Sequence, residues 1–126
     1  MPDEEFMYLV DAAIVALPER VRGLMVNVAV VIADELPDDK RKELGFGTDE
    51  IVFGLYEGVP QTERGVDYQS LPDKITIFKR PILSAYSAPA DIKECVENTV
   101  WHEMAHHFGY GDPWIEREER ARDKEK

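Results

Sequence analysis

All three histidines of this 126-residue chain fall within the six residues His102 to His107. They sit in a stretch whose pattern predicts a helix over residues 92–108, opened by an Asp91/Glu94 capping box and closed at Gly109, where a helix C-terminal glycine belongs. On that helix Ile92, Cys95, Val96 and Thr99 share the side on which His102 and His106 appear. One face therefore changes along its length from apolar packing to polar, ligand-type residues. A fold that accommodates this must lay the first turns of the helix under a sheet and let the last turns emerge into a cleft.

The spacing within the helix carries chemistry. Residues four apart lie one turn above each other, about 40° apart around the axis, so the His102 and His106 imidazoles can meet one ion at about 2.0–2.1 Å. Glu103 is offset from His102 by about 100°, placed to reach a water on the metal rather than the metal itself. The ion acidifies that water and polarises a scissile carbonyl, and Glu103 acts as general base and later passes the proton to the leaving amine. A third ligand follows: Gly109 ends the helix and Gly111 allows a second bend, so the chain can return the Asp112 carboxylate to the ion. The full pattern is HExxHxxGxxD. His107 lies about 120° from the midpoint of the two ligating histidines and is read as a surface or supporting residue. Cys95, about 10.5 Å of helix rise before His102, is read as a core cysteine.

The rest of the chain suggests a single α+β domain. An apolar, aliphatic and aromatic content of 44% is enough for a core. Residues Asp3 to Leu17 read as a helix with Phe6, Leu9, Val10, Ala13, Ile14 and Leu17 on one face, stopped at Pro18, with a short helical turn over Glu19 to Leu24. Val26 to Ala33, Ile51 to Tyr56 and Lys74 to Lys79 read as strands. The long polar stretch from Glu57 to Asp73 reads as a loop able to cover a cleft. We assign residues 1–114 to the domain and 115–126 to a charged C-terminal tail, which holds five acidic and five basic residues. The net charge of −11, from 26 acidic and 15 basic residues, disfavours nucleic acid as a partner. No apolar run is long enough to span a bilayer and the MPDEEF start is acidic where a secretory signal is basic, so no membrane partner and a cytoplasmic location are expected. The single cysteine excludes an internal disulfide and a thiol-based zinc cluster.

With these residues in view, the chain resembles the zincin metallopeptidases, specifically the small single-domain bacterial minimal zincin type. The likeness runs through LVDAAIVALPERVRG, GLYEGVPQTERG, LPDKITIFKRPI and TVWHEMAHHFGYGD. It implies a minimal zincin-like α+β domain, a small mixed sheet packed on an N-terminal helix and a metal-binding active-site helix. It also implies one Zn2+ on His102, His106 and Asp112, with Glu103 as catalytic base and a peptide or protein as substrate. A glutamate from the tail, as in gluzincins, is a more cramped source of the third ligand. No methionine follows the motif, so the Met-turn of metzincins is missing. By analogy with zincins, the substrate would lie along an exposed edge strand, expected at Lys74 to Lys79. Tyr68, Tyr86, Tyr110, Arg64 and Arg80 are the eligible donors to an oxyanion.

The function expected is zinc-dependent hydrolysis of peptide bonds in short or unfolded peptides. Two other readings compete. The motif also resembles the HxxxHxxGxDH pattern of metal-dependent endoribonucleases, from which it departs at Asp112, at Glu103 and in net charge. The chain is also compatible with a zinc-binding regulatory module without turnover.

Overall fold

A computed structural model describes residues 1–25, 27–58, 73–108 and 113–124, the side chains of residues 24, 106–108 and 123–124 apart. The expected loop from Glu57 to Asp73 falls almost wholly outside these residues, as do Gly109 and Asp112.

The N-terminal helix α1 (Asp3–Val15) forms as its periodicity predicts: Phe6, Val10 and Ala13 are buried, with Leu17 just beyond, and Leu9 and Ile14 pack at the margin. Pro18 supplies the extended residue ahead of a one-turn helix α2 (Glu19–Arg22), which buries Val21. Among the described residues three strands follow, β1 (Val28–Ala33), β2 (Gly54–Glu57) and β3 (Asp73–Phe78), in the spatial order β1-β3-β2. β1 runs parallel to β3, with Val30 opposite Ile75 and Ile32 opposite Ile77. β2 runs antiparallel to β3, with Gly54 opposite Ile77 and Tyr56 opposite Ile75. The small mixed sheet expected for a zincin-like α+β domain is present.

The register corrects one expectation. The Lys74–Lys79 strand is not an edge but the centre of the sheet, with a neighbour on each side. Ile75 and Ile77 join the main core, while Phe78, on the opposite face, joins a smaller cluster with Leu36 and Val52. Thr76 is buried as well. Ile75 and Ile77 supply one buried face and Thr76 and Phe78 the other, so the alternation in KITIFK belongs to a strand covered on both faces. Among the described residues β2 is an edge of the sheet, and it lies beside the functional helix.

Three helices were not anticipated. α3 (Asp38–Glu43) ends on Gly45, whose φ of 82° is easiest for glycine, with the Phe46 amide donating to the Arg41 carbonyl at 2.9 Å. Arg41 also donates to the carbonyls of Gly47 (3.0 Å) and Glu50 (2.6 Å), bracing the segment that leads into β2. α4 (Lys79–Ala85) starts directly at the end of β3 and buries Ile82. Lys79 pairs with Asp3 at 2.7 Å and Arg80 with Glu35 at 3.0 Å, tying α4 to the start of α1 and to the end of β1. The third, α6 (Pro113–Lys124), occupies most of the segment read as a charged tail, and its Ile115 is fully buried in the main core.

α5 (Pro89–Phe108) is the spine of the domain, about 30 Å long. It begins three residues ahead of the expected start, since Pro89 suits a first helical position and both Asp91 and Ile92 donate their amides to the Ala88 carbonyl at 3.0 Å. Asp91 is therefore a first-turn carboxylate favoured by the helix dipole rather than a cap. Ile92, Val96, Val100 and Met104 form its buried stripe at i+4 spacing, against α1, the sheet and Ile115.

One surface pair is also electrostatically visible. Lys40 of α3 pairs with Glu57 of β2 at 2.5 Å, and this hydrogen bond to Glu57, with its charge, raises the lysine above its ordinary range. A raised lysine favours the folded state below its unfolded value of 10.5 and loses that contribution as pH rises through the folded value. Because the lysine is exposed, Lys40→Met is expected to leave the melting temperature at pH 7 almost unchanged, with any loss shrinking further in 1 M salt. A drop that persists in high salt would show that Lys40 acts by packing instead.

Candidate active site

Along its stripe α5 presents Cys95, Thr99, His102 and Glu103 away from the deepest core, towards β2. There a cleft of about 950 Å³ opens, within the range of small-ligand sites. One wall is α5, through Glu94, Cys95, Asn98, Thr99, His102 and Glu103; the opposite wall is the run Glu50 to Tyr56. Phe46 and the exposed Ile51 supply apolar surface, and Tyr86 meets Phe53 in a tilted ring pair at 6.4 Å between centroids.

The two walls approach most closely at Gly54. A side-chain carbon built there would lie 2.7 Å from Thr99 Cγ2, 3.3 Å from the Thr76 carbonyl oxygen and 3.5 Å from Glu103 Cγ. The first distance is well inside carbon–carbon contact. Thr99 is held so that this matters: its hydroxyl donates to the Cys95 carbonyl at 2.7 Å, one turn back along the helix. Only glycine at position 54 lets the edge strand lie directly on the helix beside Glu103. Gly54 falls inside the expected strand Ile51 to Tyr56 but starts the observed one, and a strand glycine carries no local sign of which element approaches it.

His102 is well exposed, with 59% of its side chain accessible, and its Nδ1 lies 3.1 Å from Glu119 Oε1 of α6. The expected site residues thus divide. His102 and Glu103 come together at one end of the cleft, on consecutive positions of α5. The backbone of His106 continues the same helix. Its side chain and the whole of Asp112 lie outside the described residues, and among the described residues no three metal-binding side chains converge. The chemistry of the donor set fits zinc: with Nδ1 directed at a carboxylate, Nε2 at the opposite corner of the ring is the nitrogen that would meet an ion, the pairing found around zinc-bound histidines generally. Cys95 is buried, in agreement with its reading as a core residue. Of the oxyanion candidates, Tyr86 lines the cleft, whereas Arg80 is engaged with Glu35; Tyr68, Tyr110 and Arg64 lie outside the described residues.

A cleft between a sheet's edge strand and a helix carrying an HExxH sequence defines the class. The family model of zincin-like metallopeptidases matches residues 25–121, most of the chain and all of the site just described. The chain belongs to the zincin-like metallopeptidase family, and membership supports a metal-dependent peptidase type of function. Among curated proteins none matches the chain. No helix among the described residues is long and apolar enough to cross a membrane.

Proposed function

We propose that the chain is a zinc-dependent metallopeptidase in which His102, His106 and Asp112 hold one Zn2+ and Glu103 is the general base, hydrolysing short or unfolded peptides. The observation that carries this reading is the position of Glu103, beside His102 on α5 and against Gly54 of the edge strand, in a chain of this family. A zinc ion held there supplies Lewis acidity, which makes water a better nucleophile and a peptide carbonyl a better electrophile.

The chain's own residues do the rest. Glu103 takes a proton from the attacking water. The water oxygen forms the new bond to the acyl carbon, the C–N bond breaks, and Glu103 passes its proton to the departing nitrogen. β2 offers backbone donors and acceptors to an extended peptide, which is the role expected above for Lys74 to Lys79 and excluded there by the central position of β3. Tyr86 is the described side chain suited to donate to the developing oxyanion.

The test is zinc content by elemental analysis combined with cleavage of an unstructured peptide library. The wild-type chain is expected to hold one zinc and to lose cleavage on chelation, regaining it with added zinc. Asp112→Ala should lose its zinc on dialysis against a mild chelator, and full retention would remove Asp112 from the ligand set. Tightly bound zinc without cleavage, together with a melting temperature that collapses on chelation, would leave a structural ion and no peptidase.

A further inference from the structure

We propose that Glu119 of α6 is a positioning residue for His102, so that the C-terminal helix is part of the active site rather than a solvated appendage. The inference rests on the zinc reading of His102 and extends it to a helix the motif does not include.

Three contacts fix α6 before Glu119 is considered. Ile115 is fully buried in the main core. The Arg20 guanidinium lies over the Trp114 ring, 5.4 Å from its centroid, and that of Arg122 lies over Trp101 at 4.3 Å. Residues 115, 119 and 122 fall within about 60° around the helix axis, so one face of α6 carries the apolar anchor, the carboxylate and the cation together. That face meets consecutive residues of α5: Arg122 covers Trp101 while Glu119 reaches Nδ1 of His102 at 3.1 Å. Glu119 is the more sheltered partner, with 22% of its side chain accessible against 59% for His102. An exposed imidazole is free to rotate unless something holds it. A carboxylate braced on a packed helix fixes the ring plane, selects the tautomer with its proton on Nδ1 and leaves Nε2 as the basic nitrogen.

A charged surface helix would place glutamates near the site by composition alone, and a direct ligand role for Glu119 would use the same proximity. The two are separated by the chemistry of the substituent. An amide oxygen still accepts a hydrogen bond from Nδ1–H, but a neutral amide is a poor ligand for zinc.

Zinc affinity of the full chain is therefore to be measured by competition with a chromophoric chelator for wild type, Glu119→Ala, Glu119→Gln and His102→Ala, with melting of the metal-free proteins as the folding control. Glu119→Ala is expected to weaken zinc binding about ten- to a hundredfold. Glu119→Gln should recover at least half of that loss on a logarithmic scale. Should Glu119→Ala fail to fold, Glu119→Gln is read against wild type: zinc affinity within about tenfold of wild type supports the positioning role, and a loss of about a hundredfold or more overturns it. Wild-type affinity in Glu119→Ala overturns the proposal, and so does a glutamine variant as weak as the alanine one, which would make the carboxylate a ligand. His102→Ala distinguishes the two levels. Unaltered zinc binding there removes the zinc reading itself, whereas its loss beside an unaffected Glu119→Ala removes only the positioning role.

Discussion

Glu103→Gln is expected to retain zinc and lose peptide cleavage by about a hundredfold to ten-thousandfold, the range that positioned proton transfer contributes to such reactions. The substitution is nearly isosteric, so the packing of the Glu103 stem against Gly54 and Thr99 is preserved and the fold should melt as before. What disappears is the ability to take a proton from water and return it to the departing nitrogen. His102 and its contact with Glu119 are untouched, which is why metal content is the internal control. The measurement is turnover of a fluorogenic peptide by zinc-matched wild type and variant. Undiminished turnover would remove Glu103 as the base while leaving metal binding intact, so the two halves of the proposed site are tested separately.

Gly54→Ala is expected to cost about 1–3 kcal/mol of stability, the usual scale of overpacking in a close-packed contact, and to depress cleavage through displacement of Glu103. The added carbon would stand 2.7 Å from Thr99 Cγ2 and 3.3 Å from a backbone carbonyl of β3. It has no direction in which to relax without moving the strand or the helix. Against a total stability of typically 5–15 kcal/mol the loss is large. Thr99→Ser provides the cross-check, because it removes Cγ2 while keeping a hydroxyl able to donate to the Cys95 carbonyl. The double variant Gly54→Ala with Thr99→Ser should regain most of the lost stability in thermal or urea melts. If the two effects simply add, the close approach of β2 to α5 is not what glycine protects.

These two positions show how differently parts of the site were written into the chain. Glu103 was legible because a helix imposes its own geometry: once residues 92–108 are helical, the offsets among 102, 103 and 106 follow from the helical repeat, whatever surrounds them. Gly54 was not legible, since its importance lies in what faces it from an element some 45 residues away. Glu119 was intermediate. A tail glutamate was a conceivable participant, but the tail looked like charge alone because a single isoleucine, Ile115, and the cation–π contacts of Trp114 and Trp101 are what dock it. Residues 113–124 offer only Trp114, Ile115 and Ala121 as apolar side chains among charged ones, too few to announce a core-facing stripe.

The strands carry the same lesson. Their existence and approximate positions followed from β-branched runs, as did the burial of one face of α1. Their order did not. Nothing local says that the last strand before the metal helix inserts between the other two; pairing β1 parallel to β3 and β2 antiparallel to it is decided by which arrangement buries Ile75 and Ile77 on one face and Phe78 on the other.

By itself, then, the sequence determined the helical elements with strong periodicity and the relative placement of His102, Glu103 and His106, since both depend on short-range geometry that the chain carries wherever it folds. The tertiary structure alone decided that β2 faces the cleft, that Gly54 lets this strand meet the helix, and that α6 returns to set Glu119 against His102. Those are contacts between residues distant in sequence, and only the closing of a shared core brings them within a few ångströms.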